Sequence, residues 1–392
     1  MKLVFLLNPT YPYYTGGRET WLYQVSARLC KTHDITIFSI ASNKKYRHLD
    51  GKVPPIDPRI TITSCFSFAV FTPVRKLLHS YLCLVNQWAD MFFMKKQLFH
   101  FLRENQNEPV FVISMDTIFT GTLAMEAKQR FSNVRFINSV RGPHGEIDAK
   151  TYPLARKFFM KREIKTLKTA DQVWSNGEDT KADLSRRGIA SVVVRNGVDC
   201  RRAPLPVPQE LIPQKTDFHL LSIGTLLDIK GYPQLIRAIA QVKNSRGYLV
   251  GLTVFGKGSS DRYRALAQKL GVLEQIVFAG FRPQTVEYAS GFDGIACLSG
   301  GGGQSMACLE SLLSGTPVLA WDSPVYRQMI HHLETGYLVK EWDVSALADG
   351  IVWLIEHRDA ARELGLAAKE SVERFDWSHV VEMVEAQLKE CV

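Results

Sequence analysis

The 392-residue sequence has no Asp-x-Asp pair, no Cys-x-x-Cys pair and no His/Cys cluster at zinc-ligand spacing, so no metal is expected. Its seven cysteines (30, 65, 83, 200, 297, 308 and 391) are odd in number and scattered, the pattern of a reduced, cytosolic chain rather than a disulfide framework. No apolar stretch reaches the ~18 residues of a membrane-spanning helix. The opening run Leu3–Leu7 is short and leads into Asn8, Pro9 and aromatics rather than a small-residue cleavage site, so a buried first strand is expected, not a signal peptide. There is no low-complexity tract. No aromatic-basic recognition motif is present either, so no nucleic-acid partner is expected.

What the chain does have is ordinary globular composition, with 46% hydrophobic and 22% charged residues, and an uneven charge. Residues 1–200 carry 29 Lys+Arg against 17 Asp+Glu; residues 201–392 carry 19 against 22. A basic first half suits an anionic partner such as a membrane surface or a phosphorylated substrate. Residues 73–104 read as helical. They interleave Trp88, Phe92, Phe93 and Phe99 with Arg75, Lys76, Lys95 and Lys96, which fits a packed helix pair or an element touching a membrane.

Apolar strands alternate with amphipathic helices along the whole length, the pattern of an α/β protein with parallel sheets. Residues 41–72 read as loop-rich. Residues 201–216 hold four prolines and little periodicity, and the linker is placed there. The expected division is a first α/β domain over 1–200, the linker 201–216, a second α/β domain over 217–375 and a closing helical segment over 376–392.

The stretch Ser299–Glu310 contains four successive glycines, Gly300 to Gly303. A strand (Gly294 to Leu298) runs in and a helix runs out, stopped at Gly315 and Pro317. Glycines let backbone approach a ligand, and the amides of a first helical turn suit an anion. On a helix, Glu310 shares a face with Gly303, and the rise from Gly302 to Glu310 is about 12 Å, the span of a sugar diphosphate and ribose. The element reads as the cradle of a nucleotide-sugar.

Four landmarks in order extend this reading: Gly16-Gly17, Asn196-Gly197-Val198-Asp199, Gly224 with Lys230-Gly231, and Gly303 to Glu310 with Gly315-Thr316-Pro317-Val318. Val254-Phe255-Gly256-Lys257-Gly258 and Phe375-Asp376-Trp377 are lesser matches. Together they resemble the retaining glycosyltransferases of family 4, which have the GT-B fold. The resemblance implies two Rossmann-like α/β domains facing across a cleft, the last helix crossing back to the first domain. It implies an acceptor-binding N-terminal domain and a nucleotide-sugar-binding C-terminal one.

The resemblance also implies roles. Lys230 binds the donor diphosphate and Glu310 accepts hydrogen bonds from the ribose. Gly16, Gly17, Thr225, Gly302, Gly303, Gln304, Ser305 and Met306 line the donor. His144 sits beside the donor sugar, is counted with Lys230 and Glu310 as catalytic, and with Arg18 and Arg141 faces the acceptor. Two positions depart from the family pattern: Thr225 stands where an arginine is usual, and Gly302 where the first glutamate of the Glu-x7-Glu motif falls. The implied activity is retaining, metal-independent sugar transfer from a nucleotide-sugar to a lipid-linked or membrane-surface glycan, in polysaccharide or glycolipid biosynthesis. It needs no cofactor beyond the donor substrate and is cytoplasmic or peripheral on the inner membrane face. The alternatives are a catalytically silent glycosyltransferase-like subunit that binds a nucleotide-sugar or a glycan, or another GT-B enzyme such as a sugar-nucleotide epimerase.

Overall fold

The computed structural model describes residues 1–8, 16–41, 55–66, 79–141, 156–282 and 285–391. They fall into two compact units: Met1–Arg195 with Val380–Val392, and Asn196–His379.

The first unit contains β1 (Lys2–Leu6), α1 (Gly17–Leu29), β2 (Asp34–Ala41), β3 (Ile60–Phe66), α2 (His79–Glu104) and β4 (Val110–Ser114). It continues with α3 (Thr120–Arg130), β5 (Val134–Val140), α4 (Arg156–Thr169), β6 (Gln172–Ser175), α5 (Glu178–Arg186) and β7 (Val192–Val193). The strands form one sheet in the order β3-β2-β1-β4-β5-β6-β7, parallel throughout. Strands β1 and β4 lie at its centre and are apolar but for Lys2 and Ser114 at their ends, because helices cover both faces of a parallel sheet. Strand order reverses between them, and their carboxyl ends open the crevice where such sheets bind ligands.

Strand β3 lies inside the stretch expected to be loop. Its Ile-Thr alternation (Ile60 to Thr63) is the period of a half-exposed edge strand, hidden in the sequence by Pro54, Pro55 and Pro58 just before it. In place of a helix pair, α2 is one 26-residue helix over its described range. Met91, Met94, Leu98 and Leu102 form its buried stripe.

The second unit contains β8 (Phe218–Ile223), α6 (Tyr232–Arg246), β9 (Val250–Phe255), α7 (Asp261–Lys269), β10 (Ile276–Gly280), α8 (Thr285–Ala289) and β11 (Gly294–Cys297). Then come α9 (Met306–Leu313), β12 (Val318–Trp321), α10 (Pro324–Arg327), β13 (Tyr337–Val339), α11 (Val344–Glu356) and α12 (Arg358–Ser371). Its sheet order is β10-β9-β8-β11-β12-β13, again parallel, with the reversal between β8 and β11. The last helix, α13 (Trp377–Glu390), begins in this unit, and its residues from Val380 count with the first.

The proline-rich residues 201–216 are not a free linker; they pack on the second unit. Leu211 is buried and its carbonyl accepts from Thr253 Oγ1, while Leu205 N donates to the Glu287 carbonyl at 2.8 Å. Prolines remove backbone donors, so this strap lies down without leaving many amides to satisfy. The Asn196-Gly197-Val198-Asp199 motif meets the Phe375-Asp376-Trp377 motif directly. Val198 N donates to Phe375 O at 2.9 Å, and a Cβ on Gly197 would sit 2.6 Å from the Trp377 ring. Only glycine fits there.

Candidate functional site

In the second unit the loops after β8 and β11 meet at the point of strand reversal. The first loop closes with a single 3-10 turn, Asp228–Lys230, and Gly231 at φ 74°. A Cβ on Gly231 would lie 2.6 Å from Leu298 Cβ and 2.8 Å from the Leu298 carbonyl, so glycine is required both by conformation and by contact. Gly300 N donates to Ile229 O at 2.8 Å and locks the second loop against the first. The Lys230 ammonium is thereby held under the glycine run, donating to Ser299 Oγ at 3.1 Å. Burial lowers its pKa, and the negative charge of nearby Cys297 in its thiolate form opposes that shift.

Tyr326 supports the second loop, its hydroxyl accepting from Ser299 N at 2.8 Å. Gly303 adopts φ 84°. Gln304 is buried, with Oε1 accepting from Asn196 N at 2.6 Å. Helix α9 begins at Met306, capped by Ser305, whose Oγ accepts from Cys308 N at 3.3 Å. The first-turn amides of Met306 and Ala307 are donors that the helix itself does not use.

The expected continuous helix from Gly302 to Glu310 is therefore corrected: Gly302 to Ser305 are loop, and the helical rise from Met306 to Glu310 is only about 6 Å. The left-handed Gly303 and the Gln304–Asn196 pairing hold that loop out of helix. Glu310, half-buried on α9, has its carboxyl pushed up to about 7. Desolvation is the main cause; Arg202 opposes the shift and Glu287 adds to it. Neither Arg202 nor Glu287 lies in a sequence motif; only the packed strap brings Arg202 to within 3.8 Å of Glu287. Thr225 is exposed and its carbonyl accepts from Leu227 N at 2.8 Å; Gly302 is exposed.

Of the first-unit residues expected at the site, Gly16 and Gly17 on the donor side and Arg18 on the acceptor side begin α1, and Arg18 and Arg141 lie just past the carboxyl ends of β4 and β5. Gly16 caps α1 and Gly17 opens it. Arg18 Nη1 donates to Met115 O at 3.3 Å, just past β4. Arg141, just past β5, donates from Nε to Ser139 Oγ at 2.9 Å and lies over the Trp21 ring at 3.9 Å. Burial lowers its pKa to about 9. His144 lies outside the described residues. Among the described residues, no group of three or more His, Cys, Asp or Glu side chains is placed to hold a metal ion.

Two parallel-sheet Rossmann-like units, each with its strand reversal at the chain's glycine loops, define the GT-B fold. Three solved structures share it over nearly their whole length. Sucrose-phosphate synthase from Thermosynechococcus elongatus matches with a TM-score of 0.80 at 17% identity, over 100% of this chain and 99% of that one. Anabaena HepE in complex with UDP-glucose matches at 0.74 and 16%, over 100% of both chains. WaaG, a glycosyltransferase involved in lipopolysaccharide biosynthesis, matches at 0.71 and 15%, over 97% and 98%. Residues 207–371 match the family model described as glycosyl transferases group 1. The chain is 34% identical over 139 residues to a phosphatidyl-myo-inositol mannosyltransferase of Mycobacterium leprae, and 28% over 169 residues to a D-inositol 3-phosphate glycosyltransferase of Nocardia farcinica. These alignments cover 34% and 41% of this chain and only 36% and 38% of the relatives' own length.

Proposed function

We propose that this protein is a retaining, metal-independent glycosyltransferase of the family 4 type. It moves a sugar from a nucleotide-sugar to a lipid-linked or membrane-surface glycan. The observation that carries the reading is Lys230, held under a glycine loop that opens a helix, inside the segment matching the glycosyl transferases. In this reading the donor diphosphate lies against Lys230 and the amides of Met306 and Ala307. Negative charge grows on the diphosphate as the glycosidic bond breaks, and fixed donors meet that charge without reorganising. The ionised Glu310 carboxylate accepts from the ribose hydroxyls. Arg18 and Arg141, with His144, form the acceptor side, and His144 handles the acceptor proton.

A surface of the first unit supports a membrane-borne acceptor. The Trp88 ring of α2 lies 6.3 Å from Phe158 of α4. Around this contact Phe92, Phe158 and Met160 are exposed, with Lys96, Lys157 and Lys161 among them. Exposed aromatics beside lysines suit peripheral docking to anionic lipid. No described helix is long and apolar enough to cross a membrane.

The exposed Gly302, with no side chain at the sugar-facing glutamate position of the resemblance, favours a second reading: a silent subunit that binds the donor for a partner. One screen separates the readings. Purified protein is tested with UDP-, GDP- and TDP-sugars for thermal shift and for release of free nucleotide in the presence of glycan acceptors. The enzyme reading expects both signals with one donor class, each reduced in Lys230→Ala and Glu310→Ala, with affinity losses of roughly 1.5–3 kcal/mol for a lost charge-assisted hydrogen bond. A thermal shift without nucleotide release supports the silent subunit. No shift with any donor overturns both.

A further inference from the structure

Between the Asp228–Lys230 turn and helices α6 and α7 lies an open cavity of about 530 Å³. Asp228, Ile229, Gln234, Arg237, Arg262 and Trp342 line it, and none of the expected donor residues does. Trp342 is its most unusual wall. It adopts φ 62°, a backbone conformation that suits glycine and is strained for a bulky side chain, yet the indole is 43% exposed. The ring is held in place: a Cβ on Gly300 would fall 2.2 Å from Trp342 Cζ2, and the Trp321 ring lies 6.0 Å away. Strain of this kind persists where surrounding structure imposes it and marks sites of function.

The polar side of the cavity narrows the ligand. Gln234 lines the cavity, and its Oε1 is shielded from solvent with no hydrogen-bond partner, an acceptor that a ligand hydroxyl reaches once the amide turns toward the cavity. The Arg262 charge is matched by Asp228, whose other oxygen takes the Tyr263 hydroxyl at 3.0 Å. Arg237 Nη1 donates to the Pro233 carbonyl of its own helix at 3.2 Å. An anion would find only one cation not paired to a carboxylate, and a purely apolar ligand would leave the Gln234 acceptor unsatisfied. A half-exposed indole face, a planar amide and a planar guanidinium match a sugar ring. Its C–H face stacks on the aromatic, and its hydroxyls both donate and accept.

We propose that this cavity binds a neutral pyranose unit of a glycan chain, with Trp342 as the stacking platform and Gln234 and Arg237 as hydroxyl partners. The site is separate from the donor cradle and does not depend on the transferase reading. It gives the second unit a hold on a carbohydrate polymer apart from any site of chemistry.

The test uses the full chain, fluorescently labelled, on an array of neutral gluco-, manno- and galacto-oligosaccharides alongside acidic glycans. The best-retained neutral glycan is then titrated by calorimetry. Gln234→Ala and Trp342→Gly are each expected to weaken its binding at least tenfold, while Lys230→Ala leaves it unchanged. Circular dichroism and thermal melting check folding. Trp342→Gly relieves the backbone strain, and Gln234→Ala covers the case in which loss of the ring disturbs Gly300. The proposal is overturned if wild type retains no neutral glycan, or if both variants bind it as wild type does. It is also overturned if Lys230→Ala abolishes binding, or if retention is confined to acidic glycans and displaced by inorganic phosphate.

Discussion

Gln304 and Asn196 hold each other by both backbone and side chain. Gln304 Oε1 accepts from Asn196 N at 2.6 Å, and Asn196 Nδ2 donates to Gln304 O at 2.7 Å. Both residues are buried. The pair ties the start of the second unit to its glycine loop, 108 residues later in the chain. It also fixes the sense of the Gln304 amide and leaves Nε2 sheltered with no protein partner.

Gln304→Ala removes the side-chain acceptor that the buried Asn196 N–H reaches at 2.6 Å. Losing one partner of a buried hydrogen bond costs about 1–3 kcal/mol. Chemical denaturation should show a loss of that size, with weaker nucleotide-sugar binding because Gly303 and Ser305 lose their anchor. A stability change under about 0.5 kcal/mol, within the usual range of surface substitutions, would show that the pair does not hold the loop.

Gly231→Ala tests how Lys230 is placed. The substitution meets both a left-handed backbone and the Leu298 carbonyl. Gly247 has φ 77° but open space around a Cβ, so Gly247→Ala reports the backbone cost alone. The backbone cost is expected near 1 kcal/mol, and Gly231→Ala should exceed it clearly and also lose donor affinity. Equal melting temperatures for the two variants would remove the Leu298 contact from the account.

Donor affinity should depend on pH through Glu310. Its folded pKa is raised from 4.5 to about 7, so folding favours the protonated acid. Between those values the folded state binds more protons than the unfolded, so this carboxyl's contribution to stability falls as pH rises from about 4.5 to about 7 and is level above. Binding has the opposite sense: ribose hydroxyls need the carboxylate as acceptor, so nucleotide-sugar affinity should drop as pH falls through about 7. Calorimetric titration from pH 5.5 to 8.5 checks this. Glu310→Gln, which cannot ionise, should flatten the profile; an unchanged slope assigns it elsewhere, with Arg202 and Glu287 the neighbouring charges.

Vesicle co-sedimentation tests the α2/α4 surface. Recovery should rise with anionic lipid and fall with salt. Each lysine near the surface is worth about 1 kcal/mol. Lys96→Glu with Lys157→Glu should abolish the lipid dependence without lowering the melting temperature, since both side chains are exposed. Equal recovery on neutral and anionic vesicles would leave the patch as surface only.

Gly302→Glu addresses the missing side chain. Gly302 is exposed and, unlike Gly303, is not in the left-handed region, so a glutamate fits its backbone. If the space accommodates a bulky or acidic donor sugar, the added carboxylate should depress turnover by clash and repulsion while nucleotide affinity stays. A neutral hexose donor with a rate unchanged or raised by the substitution would sink that explanation.

Strand–helix alternation and unbroken apolar runs such as residues 110–113 were enough to give two parallel α/β units, because burial on both sheet faces writes itself as continuous hydrophobicity. The glycine loop after β11 and Lys230-Gly231 were also legible, since φ and close approach restrict those positions to few residue types. Edge strand β3 was not, because a half-exposed strand beside prolines resembles loop. Neither was the start of α9: Gly303 to Glu310 has helical spacing, but the Asn196 contact that keeps Gln304 out of the helix comes from a distant part of the chain. The carboxyl of Glu310 at about 7 with Arg202 and Glu287 beside it, and the indole of Trp342 over Gly300, were likewise decided by packing. Periodicity and glycine placement report what each residue needs locally. Desolvation and through-space contact depend on which distant residues arrive, and only the tertiary structure brings them together.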